Sequence, residues 1–305
     1  MGIGHDHDHA DRTAAAAHRG RLALVCAMTL GVMVVQIIGG LSAGSLALLA
    51  DAGHMAADAL GIMLALFAVW IAGRPFCDRR TFGYQRAEIL AAAANALLLF
   101  ALSGYILYEG VSRLFSPAEV TGPTMLAVAV VGLVANLIGL VLLRRGQQES
   151  LNMRGAYLEV FSDLLSSVGV IIAGLVIWLT GWGYADSLVS LAIAVFIVPR
   201  AWNLLREAVH VLLEAVPKGM DLDEVRSHLR AQSGVLDVHD LHAWTITSGV
   251  PVMSAHVVVD EDRLGDSGRM LDELRDCLTG HFDVEHSTLQ LEPPSHAAHE
   301  GARHR

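Results

Sequence analysis

Four residues of metal-ligating type stand in two pairs inside long apolar stretches: His54 with Asp58, and Glu159 with Asp163. Members of each pair are four positions apart, so on a helix they share one face a single turn apart. An ionisable group within a membrane span is costly and marks an ion or proton path. Depth gives a second argument. His54 and Asp58 lie roughly 12–18 Å down a helix that starts near Leu46, at 1.5 Å per residue. Glu159 and Asp163 lie about 9–15 Å along one that starts near Met153 and runs the opposite way. If the two helices touch, one imidazole and three carboxylates meet, the donor number of a tetrahedral divalent-metal site. With His54 neutral, three ionised carboxylates repel strongly in a low-dielectric pocket. The empty site is therefore expected to hold protons that an arriving dication displaces. That is metal–proton antiport in outline. Asp51 shares the face of His54 and Asp58, nearer the outer end, and reads as an entrance or hydrogen-bonding residue, with capping as the alternative. Gln36, Asn95, Asn136 and Glu109 read as interhelical hydrogen-bonding groups.

The elements that must position these pairs follow from composition. The chain has 305 residues, 53% of them hydrophobic and only 17% charged, a membrane profile. A span needs roughly 20 apolar residues, and six segments qualify: 22–44, 46–72, 88–112, 123–143, 155–179 and 184–206. The first follows a polar, His-rich start and is too long for a signal core, so no cleavable signal peptide is expected. Arg12, Arg19 and Arg21 precede the first span. Arg74, Arg79, Arg80 and Arg86 follow the second, Arg144, Arg145 and Arg154 the fourth, and Arg200, Arg206 and Lys218 the sixth. Only Arg113 falls on the other side, so the positive-inside rule predicts both termini in the cytosol with six helices between them; the expected location is the inner (plasma) membrane, as a multi-pass protein.

After Pro217 the pattern changes. Leu222, Val225 and Leu229 recur at helical spacing, 238–248 and 252–259 read as strands joined by a Ser-Gly turn, 270–278 as a helix and 287–291 as a strand. The predicted order is αββαβ, a small open-faced α+β sandwich. The chain thus divides into a His-containing disordered tail (1–20, with His5, His7 and His9), a six-helix transmembrane domain (21–213), a cytosolic α+β domain (214–293) and a second disordered tail (294–305, with His296, His299 and His304). The formal charge of -10 comes mainly from the C-terminal region, which argues against nucleic acid and suits cations. Cys26, Cys77 and Cys277 form no CxxC pair and read as packing or incidental thiols.

Several runs resemble the cation diffusion facilitator family of zinc transporters: GSLALLADAGHMAAD (44–58), TFGYQRAE (81–88), NMRGAYLEVFSD (152–163), VHDLHAW (238–244) and HSTLQLE (286–292). The resemblance spans roughly 20–293. It implies a homodimer in the lipid bilayer that exports Zn2+ or related divalent ions in exchange for protons, with a cytosolic domain of ferredoxin-like fold. It places the transport site at His54, Asp58, Asp163 and position 159, where zinc-transporting relatives carry His or Asp and this chain carries Glu. It also implies a charge pair, Arg86 with Glu214. In relatives, regulatory metal binds the dimer surface of the cytosolic domain. His256, His286 and Glu292 match best, with His239 and His242 in the same group. A third site of some relatives would fall in the loop 76–85, where Asp78 remains but Tyr84 and Gln85 stand in place of histidines. Nitrogen ligands favour zinc and carboxylates suit manganese. The expected order is zinc first, then cadmium or cobalt, with a manganese- or iron-selective exporter as the alternative. A non-transporting membrane sensor is the other alternative. No enzyme is expected, since no HExxH motif or nucleophile constellation is present and four ligands leave no open metal position for water.

Overall fold

The structure, a computed structural model, describes residues 7–75, 77–144, 151–297 and 299, with the backbone alone for 7–19 and 151–153. Six long helices come first: α1 (His7–Ala43), α2 (Leu46–Ala72), α3 (Ala87–Phe115), α4 (Gly122–Leu143), α5 (Leu151–Thr180) and α6 (Tyr184–Leu212). Each contains a segment long and apolar enough to cross a membrane, Gly20–Ala43 in α1 and Arg154–Thr180 in α5. This is a multi-pass membrane protein. Helix α1 starts at His7, inside the stretch expected to be a disordered tail. The run Thr13-Ala-Ala-Ala-Ala17 explains it, because alanine has the highest helix propensity. His5, Arg145 and His304 lie outside the described residues.

The described residues form two compact units: those up to Met63 with Asn95–Asn203, and Leu64–Ala94 with those from Leu204 on. In the first unit, α4 packs along α5 and α1 along α4. Gly122 makes the α4–α5 approach possible: a Cβ there would stand 2.8 Å from the Trp178 backbone nitrogen. Gly44 turns α1 into α2 with φ +68°, and a Cβ would come 2.7 Å from the Glu119 carbonyl, so only glycine fits.

The start of α2 is held by Asp186 of α6. Its carboxylate accepts from Ser45 Oγ at 2.6 Å, Leu46 N at 2.7 Å and Ala47 N at 3.2 Å, satisfying donors that a helix start leaves unpaired. Arg113 donates to the Gly44 carbonyl at 2.8 Å, sits 3.8 Å from Asp186 and pairs with Glu109 at 2.9 Å. Glu109 therefore bonds within α3, one turn away, rather than across helices. Gln36 donates to Asp51 at 2.7 Å between α1 and α2, and Asn136 to Ser167 at 3.4 Å between α4 and α5. Asn95 packs against Gly61, whose Cβ would meet its amide at 2.5 Å.

The second unit holds α7 (Leu222–Arg230), β1 (Val235–Thr245), β2 (Pro251–Val259), α8 (Ser267–Phe282), β3 (His286–Glu292) and the short α9 (Pro294–Ala297). The αββαβ order matches the sequence reading, while α9 falls in the stretch read as a tail, with Pro294 at a helix start where its missing N–H costs nothing. The sheet order is β1-β2-β3, antiparallel for β1/β2 and parallel for β2/β3. A parallel pair needs a crossover, which α8 supplies. Helices α7 and α8 cover one sheet face through Val225, Leu229, Met270, Leu274 and Leu278, packed on Met253, Ala255 and Val257. Those three alternate along β2, so His256 and Val258 point to the other face. Asp240 has φ 46° where the β1/β2 register shifts between His239 and His242, a bulge that re-aims its neighbours.

Candidate metal centre

The first unit brings both predicted pairs together. On α2, His54 and Asp58 lie one turn apart, with Asp58 Oδ2 3.4 Å from His54 Nε2. From α5, Glu159 Oε1 approaches His54 Nε2 to 3.8 Å. One ligand atom each from His54, Glu159 and Asp163 lies within 4.8 Å of the other two. Two ligands about 2.0–2.1 Å from one tetrahedral ion stand about 3.4 Å apart, so His54 and Asp58 already have the spacing a shared ion needs. Asp163 and His54 are 2% and 7% exposed. His54 Nδ1 and Asp163 Oδ1 are buried without a hydrogen-bond partner. Unsatisfied buried acceptors of this kind fit a divalent cation, as a ligand set of imidazole and carboxylate would. Asp51 is fully buried and accepts from Gln36 of α1, which fits the hydrogen-bonding reading and not the capping one.

Sequence reasoning missed one member. Arg200, on α6, donates to Glu159 Oε1 at 2.9 Å and lies 3.3 Å from Asp58 Oδ1. The sequence reading grouped it with the basic connection after the sixth span. The signal was there: Arg200 falls six positions inside the predicted end of that span, directly after Pro199. Pro199 stands inside α6, where it removes a backbone donor and weakens the helix locally. Asp186 was missed as well, since its partners are 139 to 141 positions away.

In the second unit, Arg86 Nη2 donates to Glu214 Oε1 at 2.8 Å. Beside it, Ser248 Oγ donates to Glu88 Oε1 at 3.1 Å and Thr247 also bonds Glu88. Arg80 stacks over the Tyr84 ring at 4.3 Å, which gives Tyr84 a structural partner in the loop where relatives were expected to bind metal.

The histidines of the C-terminal domain only partly converge. On the sheet face opposite the helices, His239 Nε2 lies 2.7 Å from Glu292 Oε1, and His239 Nδ1 lies 3.1 Å from Asp240 Oδ2. His256 Nδ1 is 3.5 Å from Glu292 Oε2. Ligand atoms of His239, Asp240 and His256 lie within 4.8 Å of one another. His242 lines a neighbouring cavity of about 420 Å³ with Asp240, Ser254 and Gln290. His286 does not join the expected group with His256 and Glu292. The parallel register pairs His286 with Val252 and Glu292 with Val258, roughly 20 Å apart along the strand. The His286 ring instead lies 6.1 Å from that of Phe82.

Comparison with known proteins follows the same division. Residues 22–213 match the cation efflux transmembrane domain, and 217–294 the cytoplasmic domain of cation efflux proteins. The metal cation efflux system protein CzcD of Cupriavidus metallidurans is 45% identical over 292 residues, covering 96% of this chain and 90% of that protein. The cadmium, cobalt and zinc/H(+)-K(+) antiporter of Bacillus subtilis is 37% identical over 297 residues, covering 96% and 93%. The zinc transporter ZitB of Escherichia coli is 39% identical over 293 residues, covering 95% and 93%. Both matched domains occur in order, the first over the six long helices from residue 22 and the second over α7, α8 and the sheet. The chain belongs to the cation efflux, or cation diffusion facilitator, family.

Proposed function

We propose that this chain is a homodimeric, proton-coupled antiporter that exports divalent cations from the cytosol, zinc foremost and cadmium or cobalt with it. The observation that carries the reading is the cluster of His54, Glu159 and Asp163 within 4.8 Å, flanked by Asp58 at 3.4 Å and contributed by two apolar helices. The names of the three relatives, for metal cation efflux, cadmium, cobalt and zinc antiport, and zinc transport, support it. Both termini lie in the cytosol, and the membrane is the plasma membrane.

Charge balance provides the mechanism. Three ionised carboxylates, a neutral imidazole and the Arg200 guanidinium sum to −2, which one dication neutralises. Arg200 holds oxygens of Glu159 and Asp58, so it is the resident counter-ion of the metal-free site. An arriving ion takes those oxygens and frees the guanidinium. His54 must be neutral to offer its lone pair, and ligating carboxylates must be ionised, so protons and metal compete for the same atoms. Protonation from the more acidic outer side releases the cation, and those protons are carried inward. In the C-terminal domain, His239, Asp240, His256 and Glu292 hold regulatory metal and draw the two subunits together.

Glu159 favours a second reading. Its carboxylate makes the donor set three parts oxygen to one part nitrogen, which admits manganese or iron. Reconstitution in liposomes tests the proposal. A pH gradient is expected to drive zinc flux that Asp58→Ala and Asp163→Ala each abolish. Metal binding retained in wild type without flux would make the protein a membrane sensor and overturn transport.

A further inference from the structure

The helical face of the C-terminal domain carries a second group of ligands, separate from the sheet-face histidines. Cys277 and His281 stand one turn apart on α8 and so share a face. His228 reaches them from α7. A ligand atom from each of the three lies within 4.8 Å of the other two.

Their surroundings orient them. The His228 and His281 ring centroids are 4.8 Å apart, and His228 meets Phe282 edge-on at 5.2 Å and 80°. His281 Nδ1 is 3.1 Å from the Cys277 carbonyl oxygen. A carbonyl only accepts, so Nδ1 carries the proton and Nε2 keeps its lone pair. Metal-binding imidazoles are held in this way, donating their other N–H to a carbonyl or carboxylate. Cys277 is 6% exposed.

We propose that His228, Cys277 and His281 form a binding site for a soft divalent cation of the zinc class, which clamps α7 onto α8. The ligand set decides the class. One sulfur and two nitrogens select zinc, cadmium or cobalt and reject manganese, which prefers oxygen. Three protein ligands leave the fourth tetrahedral position to water. Binding exchanges one proton: the thiol S–H breaks, a metal–sulfur bond forms and the proton goes to solvent, with no change of oxidation state. Such a site reports zinc-class metal through the packing of two helices, whereas the sheet-face group, half of it carboxylate, is harder.

The test uses full-length protein in detergent carrying Cys26→Ser and Cys77→Ser, so that Cys277 is the one remaining thiol, with cobalt(II) as probe. A cobalt–thiolate charge-transfer band is expected, saturating at one ion per chain and displaced by zinc or cadmium but not by manganese. Cys277→Ser removes it. His281→Gln, at an exposed position that tolerates the change, and His228→Gln each weaken cobalt binding at this band by about tenfold or more, the least that loss of a metal-site partner costs. No band, or a band of unchanged affinity in both histidine variants, overturns the site. The band is also expected to survive Asp58→Ala with Asp163→Ala, so failure of the transport reading and failure of this one are told apart.

Discussion

Arg200 is the residue whose placement most alters the chemistry of the membrane site. A guanidinium lies 2.9 Å from Glu159 and 3.3 Å from Asp58, so under the proposed function a metal competes with it for those oxygens. Hydrogen bonds to charged groups are worth roughly 1.5–3 kcal/mol, so its removal has a measurable effect. Arg200→Gln is expected to tighten metal binding by about tenfold and to slow flux, because nothing reoccupies the carboxylates after release. Calorimetry in detergent beside liposome flux checks both; an affinity change under about twofold would leave Arg200 a bystander. Glu159 makes a different point. Glu159→His exchanges a hard oxygen for a softer nitrogen, so zinc should gain over manganese in competitive transport. An unchanged ratio would take Glu159 out of the selectivity argument. Both i,i+4 pairs were legible in the sequence because one helical turn is a local rule. The sequence put Arg200 inside a span but did not identify its partners, because those depend on where α6 meets α2 and α5.

Among elements, backbone approach does what side-chain hydrophobicity cannot do in lipid, where apolar surface gains little by leaving its solvent. Helices α4 and α5 meet through small residues: Gly122 lies against the Trp178 backbone, and a Cβ on Gly174 would sit 3.3 Å from Leu126 N. Gly122→Val should therefore cost about 1–3 kcal/mol by overpacking, read as a lower thermal midpoint in detergent. Gly104→Ala meets no atom within 4 Å and serves as the control, with its midpoint unchanged or raised. If both variants melt alike, the close approach is not a stabilising contact. The spans themselves follow from length and hydropathy, and the αββαβ order from alternation and helical spacing. The parallel pairing of β3 with β2 did not follow from either, and it is that register which sets His286 opposite Val252, four residues from His256, and brings Glu292 within reach of His256.

At the scale of the whole molecule, charge divides the chain. The one basic side chain on the loop side otherwise poor in cations, Arg113, is used up by Glu109, Asp186 and the Gly44 carbonyl. The exception to the charge bias thus has a local structural cause. The remaining arginines are expected to keep both termini in the cytosol. A protease-cleavable tag at the C-terminus should be cut in inside-out vesicles and protected in right-side-out ones. The reverse pattern would invert the direction assigned to transport. The acidic C-terminal domain follows from composition; the gathering of its histidines into one group on the open sheet face and another on the helical layer does not.

The sequence by itself determined which stretches cross the membrane, the order of elements in the C-terminal domain, the two ligand pairs and the family. All of these depend on neighbours within a turn or a strand, or on runs of similar residues. Tertiary structure alone decided that α2 and α5 bring those pairs together, that Arg200 pairs with Glu159 and Asp58, and that Asp186 anchors the start of α2. It also decided that Cys277, which reads as an incidental thiol in the sequence, faces two histidines. Each of those contacts joins residues from different elements, and no local periodicity encodes which helix faces meet.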